Sequence, residues 1–161
     1  MIEVRDELPQ DRKAIYDVVS AAFGQSAEAD LVDQLRDCGD CVIALVAEED
    51  HLIVGHVLLS RMTAPFRALA LAPVSVAPTR QGSGIGSTLI RTAIDRARGE
   101  EWEAIFVLGE PKYYERFGFD QQAGAGFTSP YAGSHFMMLK ISTSLPTTGE
   151  LRHAPAFSAL E

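Results

Sequence analysis

The amino-acid sequence predicts a mixed α/β fold, with a central and mostly antiparallel sheet, one parallel strand pair and flanking helices. Three observations predict it. Two apolar runs, 41–47 and 51–61, are separated only by the acidic turn Glu48-Glu49-Asp50, which makes them an antiparallel hairpin. A strand pattern over 68–77 is followed by a glycine-rich turn, a helical period to about residue 98 and a short apolar run over 103–108. Such a strand-helix-strand unit needs a parallel neighbour. Helical periods ahead of the hairpin supply the cover for one sheet face.

The elements follow in order. Residues 1–5 alternate weakly and form a first strand. Residues 9–23 carry Ile15, Val18, Val19, Ala22 and Phe23 at helical spacing, with Pro9 as an opening signal and Gly24 as a stop. Ser26 stands at an N-cap position before a second helix that buries Leu31, Val32, Leu35 and Cys38, and Gly39 fits just past its end. The nearly continuous apolar run 41–47 suits a strand covered on both faces. Pro73 inside the strand 68–77 marks a bulge or an edge. The following helix buries Ile85, Leu89, Ile90, Ala93, Ile94 and Ala97 and stops at Gly99. Residues 112–117 make a helical turn, 120–135 a long loop or distorted strand, and 136–141 a last strand. This places one domain over 1–142 and a C-terminal tail over 143–161.

Composition narrows the function. Of 161 residues, 47% are hydrophobic, an ordinary globular share, so a core can form without metal or disulfide support. The formal charge is −8, which argues against nucleic acid, because phosphate contacts need clustered Lys and Arg. The N-terminus is charged from Glu3 and has no apolar h-region, and no run approaches the length of a membrane span; a cytoplasmic protein is expected. The two cysteines, Cys38 and Cys41, close a helical pattern and begin a strand. A redox pair would open a helix and zinc would need two more ligands, so no metal role is expected.

The chemistry is concentrated after the strand 68–77. The run Arg80-Gln81-Gly82-Ser83-Gly84-Ile85-Gly86 enters a helix N-terminus, where unpaired backbone N–H groups and the helix dipole favour an anion. Glycines let the backbone approach a diphosphate. The loop lacks the Lys of a Walker A motif, and its glycine spacing is not that of the Rossmann fingerprint. The stretch from Val76 to Gly86 resembles the acetyl-CoA pyrophosphate loop of the GNAT superfamily of N-acetyltransferases, whose Gln/Arg-x-x-Gly-x-Gly/Ala signature is matched by Gln81, Gly84 and Gly86. Downstream, Tyr113-Tyr114-Glu115-Arg116-Phe117-Gly118-Phe119 is similar to that family's Tyr-Glu-x-x-Gly-Phe segment. The run Val107 to Pro111 with the double tyrosine resembles a subgroup of predicted N-acetyltransferases with a Gly-Glu-Pro-x-Tyr-Tyr segment.

The resemblance covers residues 2 to about 142 and implies a GNAT fold with a splayed parallel pair. It implies acetyl-CoA as cosubstrate, with the pyrophosphate on the backbone of Gln81, Gly82, Ser83, Gly84, Ile85, Gly86 and Ser87. The pantetheine arm would pair with the strand ending at Val74 and Val76, and the Val76 N–H would serve the oxyanion. Acetyl transfer by direct attack in a ternary complex needs a neutral amine, a stabilised oxyanion and a proton for the leaving thiolate. Tyr114 aligns with the family's tyrosine acid, and Tyr113 competes for the role. Where relatives place a carboxylate on the fourth strand, this strand has none. Water, Glu28, His56 and Glu110 all remain candidate bases. The expected partner is a small-molecule or peptide amine, with a homodimer compatible. A non-catalytic acyl-CoA-binding module on the same fold is the alternative.

Overall fold

A computed structural model describes residues 1–160 of the chain; Glu161, the end of the expected tail, lies outside them. The strands are β1 (Ile2–Asp6), β2 (Cys41–Glu49), β3 (Leu52–Arg61), β4 (Ala68–Val76), β5 (Ala104–Leu108), β6 (Phe127–Thr128), β7 (Phe136–Lys140) and β8 (Gly149–Glu150). The helices are α1 (Arg12–Phe23), α2 (Ala27–Asp37), α3 (Ile85–Gly99) and two single turns, α4 (Pro111–Tyr114) and α5 (Gln121–Gly124). The main sheet runs β1-β2-β3-β4-β5-β7, antiparallel throughout except for the parallel pair β4/β5. This is the predicted mixed sheet.

Strand alternation divides the sheet into two faces. Leu45, Val57, Leu59, Leu69 and Ile105 meet α3 through Ile85, Leu89, Ile90 and Ile94. Val46 and Leu58 face the other way, against Ile15, Val18 and Val19 of α1 and Leu31, Val32 and Leu35 of α2. Each fully buried side chain of this size contributes roughly 1.5–3 kcal/mol. The α3 stripe therefore fixes the N-terminus of α3 rigidly against β3. On the α1/α2 side, Ala70, Phe106, Phe127, Phe136 and Met138 extend the core under the last segments of the chain.

The structure corrects several local expectations. Phe23 ends α1 at 42% exposure rather than in the core. Cys38 is exposed at the C-cap of α2. Glu48 and Glu49 belong to β2, and the hairpin turn is Asp50-His51, both left-handed. A two-residue hairpin requires positive φ at both central positions, which Asp tolerates. Gly99 stays helical, and Glu101 takes the left-handed position instead. Ser26 does sit at the α2 N-cap, but its side chain caps nothing. Residues 120–135 hold α5 and β6, and β6 pairs in parallel with β8. The segment beyond β7 packs down through Leu151, Ala154 and Phe157. Thr63 and Arg152 exchange backbone hydrogen bonds at 2.9 Å, which ties that segment to the end of β3. No helix among the described residues is long and apolar enough to cross a membrane.

Candidate active site

The site begins where the sheet comes apart. β4 and β5 pair only from Ala68–Ala104 to Ala70–Phe106. Beyond that, β4 runs on to Val76 without a neighbour on its β5 side. The register between β3 and β4 slips between Val57 and Leu59, opposite Leu71 to Val74, which is a bulge at the predicted Pro73 position. Past the bulge, Ala77 N–H donates to Val54 C=O at 2.8 Å. Antiparallel pairing alternates, so Ser75 bonds to β3 while Val74 and Val76 turn their backbone groups toward the gap. An extended chain lying in the gap would meet the Val74 backbone and the Val76 N–H there, the Val76 C=O being taken by the Gln81 amide.

On the α3 side the gap opens into a cavity of about 380 Å³ at the glycine loop. Gly82 and Gly84 adopt φ of 81° and 88°, which side chains disfavour. The first helical bond of α3 runs from Thr88 N–H to Gly84 C=O, so the N–H groups of Ile85, Gly86 and Ser87 have no partner within the helix. Gln81, Gly82, Gly84, Gly86 and Ser87 all border this cavity. The Ile85 side chain is buried and offers only its backbone. The Gln81 amide donates to Val76 C=O at 3.1 Å and ties the loop to the β4 end. The Ser83 hydroxyl turns back onto Arg80 C=O and lies outside the cavity wall.

Two arginines border the cavity as well. Arg80 is held by Glu49. Arg116 lies over the Tyr113 ring at 4.7 Å and makes no ion pair among the described residues. Two of the α3 arginines are engaged elsewhere, since Arg96 pairs with Asp6 at 2.6 Å and Arg91 covers Phe117. Arg116 went unnoticed in the sequence although it lies inside the second motif. The available signal was its position three residues after Tyr113, one turn on.

The two tyrosines part company. Tyr113 borders the loop cavity, and a Cβ placed on Gly86 would come within 3.2 Å of its hydroxyl. Tyr114 instead faces a chamber of about 280 Å³ on the α1/α2 side, with Val74, Pro73, Leu108, Glu28 and Phe23. A Cβ on Gly109 would fall 2.4 Å from the Tyr114 ring, so only glycine lets this ring close over the end of β5. Burial pushes the Tyr114 hydroxyl up to about 12, which keeps its proton in place.

The three candidate bases also separate. His56 is fully buried on β3, and its Nε2 lies 2.8 Å from Glu7 Oε1. Burial lowers the His56 pKa against the opposing pull of Glu7, so the ring is neutral. Burial raises the Glu7 carboxyl, but hydrogen bonds from His56 and Arg36 outweigh it and hold it at about 2. This pair is a structural brace within the α1/α2 layer. Glu110 is exposed beside α4 and borders neither cavity nor chamber. Glu28 borders the Tyr114 chamber, where its carboxylate accepts from Gln25 Nε2 at 3.0 Å. Burial pushes the Cys41 thiol up to about 11, away from thiolate chemistry.

Known proteins share this fold. Residues 12–119 match the model of the acetyltransferase (GNAT) family. The chain is 39% identical over 130 residues to the uncharacterized N-acetyltransferase YjhQ of Escherichia coli, covering 75% of this chain and 71% of that protein. A GNAT family acetyltransferase from Brucella melitensis, solved with acetyl-CoA, superposes with a TM-score of 0.84 at 33% identity, covering 98% of each chain. The E. coli N-acetyltransferase YhbS, solved with CoA, superposes with a TM-score of 0.90 at 26% identity, covering 98% of this chain and 92% of that one. With its family model, its relatives and its splayed sheet in agreement, the chain belongs to the GNAT family of acetyltransferases.

Proposed function

We propose that the protein transfers the acetyl group of acetyl-CoA to a primary amine by direct attack in a ternary complex. The observation that carries this is the gap between β4 and β5, with the loop cavity, bordered by Val76, on one face and the Tyr114 chamber, bordered by Val74, on the other. The fit to acetyl-CoA rests on the free N–H groups of Ile85, Gly86 and Ser87, the β4 edge at Val74 and the Val76 N–H, and the cation of Arg116. Relatives solved with CoA and acetyl-CoA support the same ligand.

Bound acetyl-CoA supplies an acetyl group activated as a thioester. The backbone from Gln81 to Ser87 holds the pyrophosphate, with Arg116 beside it. Val74 and Val76 align the pantetheine arm as an added strand, and the Val76 N–H stands ready for the charge that develops on the carbonyl oxygen. Glu28 takes a proton from the incoming ammonium, directly or through water, because it alone of the three candidates shares the chamber with Tyr114. As the N–C bond forms and the C–S bond breaks, Tyr114 gives its proton to the departing sulfur. The proton shed by the acylated nitrogen restores it.

Calorimetry with acetyl-CoA, followed by an assay of free thiol release over a panel of amines, tests this. Binding at one site per chain with amine-dependent release is expected. Tight binding with no release for any amine would favour a non-catalytic acyl-CoA-binding module, and no binding would remove the proposal.

A further inference from the structure

The chamber that holds Tyr114 is not alone. It adjoins a second chamber of about 260 Å³, and the two share Leu71, Ala72, Leu108, Phe157 and Leu160. The deeper one is walled by rings. Phe106 stacks on Phe136 at 5.4 Å, and His153 meets Tyr131 and Phe157 edge-on at 4.7 and 5.2 Å. No Lys or Arg among the described residues borders either chamber. Glu28, at the gap end, is the one carboxylate among the described residues of their walls. Polarity is thus graded: an acid beside the gap, then mainly apolar and aromatic surface beyond it, with His153 and Tyr131 as its polar members.

From this gradient we infer that the acceptor is a small primary amine on an apolar, ring-bearing body, with its ammonium at Glu28 and its body between Phe106, Tyr131 and Phe157. The inference rests on the acetyl-transfer function proposed above and names the substrate class for it. A carboxylate in a chamber without competing cations selects a positive head by charge complementarity. Rings that border a cavity, here by their edges where stacking covers the faces of Phe106, favour an aromatic guest in edge-on contact. A polyamine would bring a second and third charge into apolar surface with no acid to meet them, which is costly. A peptide N-terminus would bring backbone amides to walls with few partners for them.

The test is kcat/KM at saturating acetyl-CoA for ethylamine, butylamine, 2-phenylethylamine, spermidine and a short glycyl peptide. Each buried methylene should raise kcat/KM about fourfold. Butylamine should therefore exceed ethylamine by roughly tenfold or more, with 2-phenylethylamine higher still. Glu28→Gln and Leu160→Asp should each raise KM for 2-phenylethylamine about tenfold or more, with acetyl-CoA affinity unchanged as the control for folding. Spermidine or the peptide outperforming 2-phenylethylamine would overturn the substrate class while leaving acetyl transfer intact. A flat series across the three simple amines would do the same. No turnover of any amine by protein that binds acetyl-CoA would overturn both.

Discussion

The two mouths of the β4/β5 gap are built in opposite ways. The α3-side mouth is made almost entirely from one contiguous run, Val76 to Ser87, with Tyr113 and Arg116 added from a second short motif. The α1/α2-side mouth is assembled from five separate stretches: Phe23 to Leu31, Ala70 to Val74, Phe106 to Tyr114, Tyr131, and His153 to Leu160. The first mouth presents backbone N–H groups, which any sequence with the right glycines can offer. The second presents side chains, whose identity sets what fits. A diphosphate handle common to many enzymes can be held by backbone geometry, whereas an acceptor that differs from enzyme to enzyme must be read by residues drawn from across the chain.

That contrast predicts how variants should divide. The largest effect should come from Tyr114→Phe, which removes only a hydroxyl in the chamber. Its kcat should fall about 10²–10⁴-fold, or roughly 3–5 kcal/mol of barrier, with acetyl-CoA affinity nearly unchanged. Tyr113→Phe, on the opposite mouth, should leave kcat within a few-fold. Reversed results for the two would move the acid to the loop side, and single-turnover kinetics would show whether chemistry is being measured.

Next in size is Arg116→Ala. Loss of a charge-assisted contact to a phosphate should weaken acetyl-CoA binding by roughly 10- to 150-fold, on the order of 1.5–3 kcal/mol. Unchanged calorimetric affinity would leave Arg116 as a cover for Tyr113 only.

A smaller effect should appear in stability far from either mouth. Glu7 is held at about 2 against an ordinary 4.5, and His56 lies below its ordinary 6.5. In both cases the unfolded chain binds more protons as pH falls, so stability is full above about pH 6.5 and is lost on acidification, first through His56 and then below pH 4.5 through Glu7. The loss should be on the order of 2 kcal/mol, or about 4–8 °C in Tm, by pH 3. His56→Gln should flatten the upper part of the Tm–pH curve. A wild-type Tm independent of pH between 7 and 3 would contradict the brace.

What the sequence revealed follows the same division. Glycine spacing, the helix stripe from Ile85 to Ala97 and the bulge at Pro73 are local patterns, and all three lie where they were expected. The parallel pair followed from the strand-helix-strand order alone. Phe23 was misplaced because an apolar residue at helical spacing looks the same whether it fills a core or walls an open chamber. Cys38 failed for a related reason, since the α2 stripe ends one turn before it, at Leu35. Glu28, His56 and Glu110 could not be ranked from sequence, because their difference lies in which side of the sheet and which opening each reaches. The aromatic chamber was not visible at all: Phe106, Tyr131 and Phe157 are 25 or more residues apart, and only the packing of the last segment brings them together.

The central claim is that the loop mouth holds acetyl-CoA and the other mouth holds the amine. Calorimetric titration of acetyl-CoA into two folded variants tests it most directly. Gly84→Val forces a branched side chain onto a residue at φ 88°, at the helix start that faces the cavity, and Leu160→Lys alters only the opposite chamber. At least about a tenfold loss of affinity is expected in Gly84→Val and a change within about twofold in Leu160→Lys. Unaltered affinity in Gly84→Val, or a loss confined to Leu160→Lys, would contradict the claim.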